Sequence, residues 1–360
     1  MAETQIHHHH HQSSYAAYMS RTLISDDDPS SSSTSAFSDC NSDRSGEFST
    51  DASSHARRRL LIACASSENS ETLIRHLVSD LNSSSIESQR QAAMELRLLA
   101  KNKHENRLTI AREGAIQPLI SLLSSPDPDL QEHGVTAILN LSLCEENKDL
   151  IAASGAIKPL VRALNCGTPT AKENAACALF RLSQTEELKG AIGRAGAIPL
   201  LVNLLESGGF RGKKDASTAL YSLCSVKENK IRAVKSGIMR ALVELMADFG
   251  SGMVDKAAFV LSVLVSVPEG RAAAVAEEGG VPVLVEMVEA GSQRQKEIAS
   301  VVLLQICEER AEYRTMVARE GAIPPLVALT QTGTTKAKQK AEKLIELLRQ
   351  PRSGNYGVAT

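Results

Sequence analysis

The segment Gly114-Ala115-Ile116-Gln117-Pro118-Leu119 returns as Gly155-Ala156-Ile157-Lys158-Pro159-Leu160 and as Gly196-Ala197-Ile198-Pro199-Leu200-Leu201. Weaker copies begin at Gly237 and Gly279, and a strong one is Gly321-Ala322-Ile323-Pro324-Pro325-Leu326. Successive glycines stand 41, 41, 41, 42 and 42 residues apart. A fixed period of this length marks a chain built from stacked units, each too small to bury its own apolar face. It displaces the two-domain expectation that length alone would give.

Each period reads as three helices. A short one, such as Glu105 to Glu113 or Glu146 to Ser154, runs into the glycine. There glycine allows a tight corner without a Cβ clash. A second helix follows, for example Ala156 to Leu164, with its proline in the first turn, where no intrahelical N–H bond is lost. Breaks come next at Ser124 to Pro128, Gly167-Thr168-Pro169 and Gly208-Gly209. The third helix, for example Gln131 to Leu143, is long and amphipathic. Few segments alternate as strands do. The ends depart from the pattern: residues 68–103 lack the short helix, and Thr334 to Arg349 carries Lys336, Lys338, Lys340 and Lys343, as a solvent-facing cap should. The fold class is all-α, a solenoid of about six to seven three-helix repeats over 67–350.

Composition sets the flanks apart. Residues 1–54 hold 15 serines and the acidic triplet Asp26-Asp27-Asp28. Such a stretch cannot bury enough apolar surface to offset its ordering entropy, so 1–66 reads as a disordered tail and 351–360 as a disordered C-terminus. Within the tail, His7 to His11 offers no fixed metal geometry, and Arg57-Arg58-Arg59 reads as solvated linker charge. Phosphates added to the tail serines would supply charge for docking on basic groups of the repeat region. The seven cysteines, Cys40, Cys64, Cys144, Cys166, Cys177, Cys224 and Cys307, form no CxxC pair. They read as reduced thiols, several filling the core, which points to the cytoplasm and/or nucleus.

The pattern with Glu228-Asn229-Lys230 before the glycine and Glu277-Glu278-Gly279-Gly280-Val281-Pro282 across it resembles the armadillo repeat. Its wording is similar to the armadillo half of plant U-box/armadillo proteins. The resemblance implies a right-handed superhelix whose third helices line a concave groove for an extended peptide or a partner helix. The family's ladder residue is an Asn whose amide bonds a bound backbone. Aligned by unit, that position holds Arg97, Asn140, Arg181, Ser222, Val263 and Gln305, so the clamp is mostly replaced. A turn earlier lie Ala93, Thr136, Cys177, Thr218, Phe259 and Val301. Two turns earlier lie Arg90, His133, Asn174, Asp215, Lys256 and Ile298. Family import receptors use a Trp in this groove, and the chain has none. The candidate partner-binding residues are therefore Arg90, Arg97, His133, Asn140, Asn174, Arg181, Asp215, Ser222, Lys256 and Gln305, with Arg97, Asn140 and Arg181 expected to be exposed. The gradation to Phe259, Val263, Ile298 and Val301 suggests a partner that is acidic or polar at one end and apolar at the other.

No catalytic constellation emerges. GxSxG and HExxH are missing. Gly208-Gly209-Phe210-Arg211-Gly212-Lys213-Lys214 misses P-loop spacing by one residue and reads as an inter-helix loop. Glu145-Glu146, Glu277-Glu278 and Glu308-Glu309 recur at repeat boundaries as solvated helix-end charges, and neither His104 nor His133 shows a Cys or Asp partner. No catalytic residue, metal site or cofactor is expected. Residues 60–360 balance 35 basic against 34 acidic side chains, which argues against nucleic acid as partner. No apolar run is long enough to span a membrane, and no secretory or lipidation signal is seen. No small-molecule substrate is expected, and the oligomeric state is left open. The U-box that recruits a ubiquitin-charged E2 needs an ordered module with a Cys-Pro-Ile-type core, which the serine-rich tail does not offer. The expected function is a noncatalytic protein–protein scaffold or adaptor in plant signalling or ubiquitin-linked regulation. A component of a ubiquitin ligase pathway and a nuclear transcription cofactor are the alternatives.

Overall fold

The computed structural model describes residues 67–350, so the expectations for 1–66 and 351–360 lie outside it. Among the described residues all regular structure is helical, and it packs as two units, 67–226 and 227–350. The first unit opens with a helix pair, α1 (Ser67–Leu81) and α2 (Ile86–Asn102). Three triplets follow: α3 (His104–Arg112), α4 (Ile116–Leu122) and α5 (Pro128–Leu141); α6 (Glu145–Ala153), α7 (Ile157–Cys166) and α8 (Pro169–Leu182); α9 (Glu186–Arg194), α10 (Ala197–Ser207) and α11 (Phe210–Leu223). The second unit holds three more: α12 (Lys227–Lys235), α13 (Ile238–Ala247) and α14 (Val254–Leu264); α15 (Pro268–Ala276), α16 (Gly280–Ala290) and α17 (Gln293–Glu309); α18 (Ala311–Arg319), α19 (Ile323–Thr332) and α20 (Thr335–Arg349). In the first unit α2 packs on α5, α5 on α8 and α8 on α11; in the second α14 packs on α17 and α17 on α20.

The repeated glycine makes the corner for a reason other than space. Gly114, Gly155, Gly196, Gly237, Gly279 and Gly321 all sit at φ between 77° and 89°, the left-handed region. A Cβ built on Gly155 would meet nothing within 4 Å, so the expected clash is replaced by a backbone requirement. Gly155 N–H donates to Ala152 O (3.0 Å) and Ala156 N–H to Ile151 O (3.3 Å). This pairing closes the end of a helix through a left-handed residue. Across Gly196 the chain turns by 81° from α9 into α10.

The residues that follow each long helix close its C-terminus. Asn106 Nδ2 donates to Leu99 O (2.9 Å), and Asn147 Nδ2 to Leu141 O (3.2 Å). Arg107 donates to Ala100 O (2.7 Å) and Lys101 O (2.6 Å); Arg271 reaches Val265 O (2.8 Å) and Arg314 reaches Cys307 O (2.8 Å). Orphan carbonyls thus receive donors, and the cations face the negative end of the helix dipole. Asn and Arg at these repeat positions are therefore helix caps, whereas a Lys in the Arg position reaches forward to the next copy: Lys148 Nζ donates to Gln184 Oε1 (2.6 Å) and the buried Lys230 Nζ to Ser266 Oγ (2.7 Å).

The long helices start earlier than their apolar stripe suggests. Asp127 accepts from Leu130 N (2.9 Å) and Thr168 from Ala171 N (3.1 Å), so Pro128 and Pro169 open α5 and α8 rather than lying in breaks. Ser292 and Gln295 form a capping box on α17. The core is continuous along α5, where every residue from Gly134 to Leu141 is buried. Each fully buried Leu or Ile there contributes roughly 1.5–3 kcal/mol.

Gly155→Ala is expected to lower stability by about 1–2 kcal/mol, the cost of placing a Cβ in the left-handed region, and Gly155→Asn by less. Gly190→Ala, mid-helix in α9 where only the mobile end of Arg194 lies near, is expected to raise it by up to about 1 kcal/mol. Urea midpoints of the three variants check the opposed signs.

Candidate partner-binding face

Side-chain ties join successive long helices. In the first unit Arg90 donates to Asp127 Oδ2 (2.6 Å), the N-cap of α5, and Thr168 Oγ1, the N-cap of α8, donates to Glu132 Oε2 (2.6 Å). Glu173 lies 3.6 Å from Arg211 in the first turn of α11. In the second unit Gln295 Nε2 donates to Asp255 (2.9 Å), and Thr334 Oγ1, the N-cap of α20, donates to Glu297 (2.9 Å). Counted from the caps, Arg90 is equivalent to Glu132, Glu173 and Glu297. The alignment of Arg90 with His133 is corrected by one residue, because the cap sets the register of the helix.

Behind these ties runs a buried polar layer. Thr136 Oγ1 donates to Glu132 O (2.7 Å) and accepts from Asn174 Nδ2 (2.8 Å), while Asn174 Oδ1 accepts from Arg211 (2.5 Å). Arg211 also lies 3.5 Å from Asp215. Asn174 is fully buried and Asp215 is 4% exposed, so both are interior groups that hold α8 and α11 together. Sequence reasoning passed over Glu132, took Arg211 for part of a loop and did not place Thr136 among the candidates; counting forward from the N-cap Ser, Thr and Asp residues would have found the tie positions.

Asn140 was expected to be exposed, and it is not. It is 1% exposed, and its Nδ2 donates to Arg97 O (2.8 Å), directing the amide to the neighbouring helix. Ser222 Oγ shares a hydrogen bond with Ser183 Oγ (2.7 Å). Arg181 is half-buried, with its guanidinium 5.5 Å from the Phe180 ring. In the second unit Lys256 and Gln305 are 9% and 7% exposed. Phe259, Ile298 and Val301 are at most 5% exposed and belong to the core, which removes the apolar end expected of the face; only Val263 stays half-buried. Arg294 stacks 4.8 Å from the Phe259 ring.

Arg97 and His133 lie on the adjoining long helices α2 and α5. Arg97 is half-buried and forms no ion pair among the described residues; its Nε and His133 Nδ1 lack hydrogen-bond partners there. Burial lowers the Arg97 pKa from its ordinary value, against the opposing charge of Glu132. His133 is pushed down to about 4, first by burial and then by the charges of Arg97 and Arg90. The arrangement is a desolvated cation beside a neutral imidazole on adjoining long helices.

A sequence model of the plant U-box protein ARM repeat region matches residues 72–356. The chain belongs to this family. U-box domain-containing protein 14 of Arabidopsis thaliana is 53% identical over 81 residues, 22% of this chain and 13% of that protein. E3 ubiquitin-protein ligase SPL11 of Oryza sativa subsp. japonica is 56% identical over 84 residues, 23% of this chain and 12% of that protein. These alignments take in only about an eighth of each relative's length. The crystal structure of an engineered protein superposes with a TM-score of 0.70 at 26% identity, covering 81% of this chain and 73% of that one. Computationally designed armadillo repeat proteins for modular peptide recognition share the fold, with a TM-score of 0.50 at 20% identity over 76% of this chain and 99% of that one.

Within the ARM fold the remaining sequence candidates find structural places. Phe210 to Lys214 is the first turn of α11, not a loop; only Gly208 and Gly209 break the chain. Glu309 is not simply solvated, since it pairs with Arg271, and Glu308 pairs with Lys343 (2.9 Å). Cys144, Cys177, Cys224 and Cys307 are buried, and burial pushes the Cys307 thiol up to about 12. His104 is not isolated: Cys144 and Glu146 stand beside it. Among the described residues no single helix is long and apolar enough to cross a membrane.

The depressed pKa of His133 fixes the sign of a pH dependence. Below about 6.5 the unfolded chain takes up a proton that the folded chain refuses until about pH 4. The contribution is complete above pH 6.5 and lost as the pH falls toward 4. Urea midpoints at pH 7 and pH 5 should show a smaller drop for His133→Gln than for the parent chain.

Proposed function

We propose that this ARM region is a noncatalytic scaffold that holds a protein segment along the long helices of its first unit, with acidic or polar groups of that segment meeting Arg97, His133 and Arg181. The observation that carries the reading is Arg97, a half-buried cation with no ion pair among the described residues. A desolvated charge without a counter-charge gains most from an incoming carboxylate or phosphate, since each pairing in a site of low dielectric is worth more than in water. Asn174 and Asp215 lie inside and act by holding the helices that present this face. We place the chain in the cytoplasm and/or nucleus, a reading supported by its buried cysteines, which form no disulfide among the described residues.

The ARM relatives named as U-box proteins and as an E3 ubiquitin-protein ligase support a second reading, that the bound segment belongs to a ubiquitin-ligase pathway. In that reading the chain selects or competes for a target and leaves ubiquitin transfer to another protein.

The full chain and its Arg97→Gln, Arg181→Gln double variant, used as bait in plant cell extract and read by mass spectrometry, separate these ideas. Partners of the face should fall at least five-fold on the variant while its melting temperature stays within the usual range for surface changes. An unchanged partner set would sink the face assignment. The purified chain with ubiquitin, E1, E2 and ATP should form no ubiquitin conjugates above a blank without it.

A further inference from the structure

The N-termini of α3 and α6 bring three unlike donors together on the outer side of the first unit. Cys144 Sγ donates to Glu146 Oε2 at 2.8 Å, and His104 Nε2 lies 3.9 Å from Glu146 Oε1. The three ligand atoms all lie within 4.8 Å of one another. His104 and Glu146 are exposed, at 51% and 61% of their side chains, so both can adjust by rotamer, while Cys144 is fixed by burial at 1%.

The repeat supplies its own control. The register of His104 holds Glu145, Glu186, Lys227, Pro268 and Ala311 in the following copies. The register of Cys144 holds Lys103 in the copy before it and Thr185, Val226, Val267 and Arg310 in those after. Glu146 is ordinary, matched by Glu105, Glu187, Glu228 and Glu269. A sulfur and an imidazole therefore replace the repeat's usual residues at one junction only, and the fold sets them across from each other. Nothing in the stacking needs them: the copies without them form the same helix starts.

We propose that His104, Cys144 and Glu146 form a zinc-type site that staples the first two triplets of this ARM region. One sulfur, one imidazole nitrogen and one carboxylate oxygen are the donor set of a borderline divalent metal, with water as fourth ligand in a tetrahedral shell. On binding, the Cys144 S–H bond breaks as the S–metal bond forms, and its proton leaves to solvent. The neutral His104 keeps its proton on Nδ1 and gives the Nε2 lone pair; Glu146 gives up the thiol hydrogen bond and coordinates instead. Thiolate and carboxylate together balance a dication, so the occupied junction carries no net charge. Ions bound only to the folded state would strengthen the α3–α6 junction by mass action.

Zinc and cobalt(II) titrations of the full chain beside His104→Ala and Cys144→Ser test this. His7 to His11, Cys40 and Cys64 are common to all three proteins, so the difference between them reports the junction. The parent chain should bind one more zinc equivalent than either variant, show a thiolate-to-cobalt absorption band that both variants lose, and gain denaturant stability with zinc that they do not. Because His104 is exposed, His104→Ala should fold even if Cys144→Ser does not. Equal zinc stoichiometry in parent and His104→Ala, or a cobalt band that survives in Cys144→Ser, would overturn the proposal.

Discussion

The long helices are walled in, and that burial governs what their polar residues can do. Within their units α5, α8 and α17 each pack on a long helix at either flank and on the second helix of their own triplet, and α5 is buried without a gap from Gly134 to Leu141. A polar side chain placed there is desolvated whichever way it points, and a buried polar group without a partner costs about 1–3 kcal/mol. Thr136, Asn174 and Arg211 answer this by bonding one another in series. Asn140 answers it by reaching back to Arg97 O. Several polar residues that look like a binding face in the sequence are, in this setting, the fasteners between successive repeats of the first unit.

The same constraint makes the exceptions informative. Where a helix end or a helix face stays half open, a charge can persist without being matched from within. Arg90 sits at such a place and is matched, by Asp127 and Glu87. Arg97, on the same helix, has burial as the main influence on its charge, with Glu132 near enough to be felt but not to pair. His133, half-buried on α5, remains neutral first because burial penalises its charged form and then because Arg97 and Arg90 oppose a further cation, against the weaker pull of Asp129 and Asp127. The face is thus defined less by how many polar groups it shows than by which of them the stacking leaves unmatched.

The period itself gave the architecture away. Glycines at 41 and 42 residues located every corner, and the physical requirement behind them is uniform, a left-handed backbone at each repeat junction. The terminal departures were legible for the same reason, since a two-helix start and a lysine-rich last helix break a pattern that can be counted. Site residues were harder. Periodicity reports which positions are equivalent, but not whether a neighbour covers them, and Phe259, Ile298 and Val301 read as a surface until α14 and α17 are packed together. The one-residue slip between Arg90 and His133 has a similar origin: apolar stripes fix a helix face, while the N-cap fixes the register, and here Ser85 and Asp127, the N-caps of α2 and α5, carry that information.

Register is also what gives weight to the trio at the start of α3 and α6. In a globular fold a histidine, a cysteine and a glutamate within 4.8 Å have no reference against which to judge them. Here every other junction in the chain is a reference. Those junctions form their helix starts with Lys, Thr, Val, Arg, Glu, Pro or Ala at the two positions that carry His104 and Cys144. Since the fold does not require an imidazole or a thiol there, their conjunction has to be explained by something the fold does not supply. A repeat protein that must differ from itself to gain a function will do so where one copy breaks register with its neighbours, and the donors of this junction break it in the two places where ligand chemistry would.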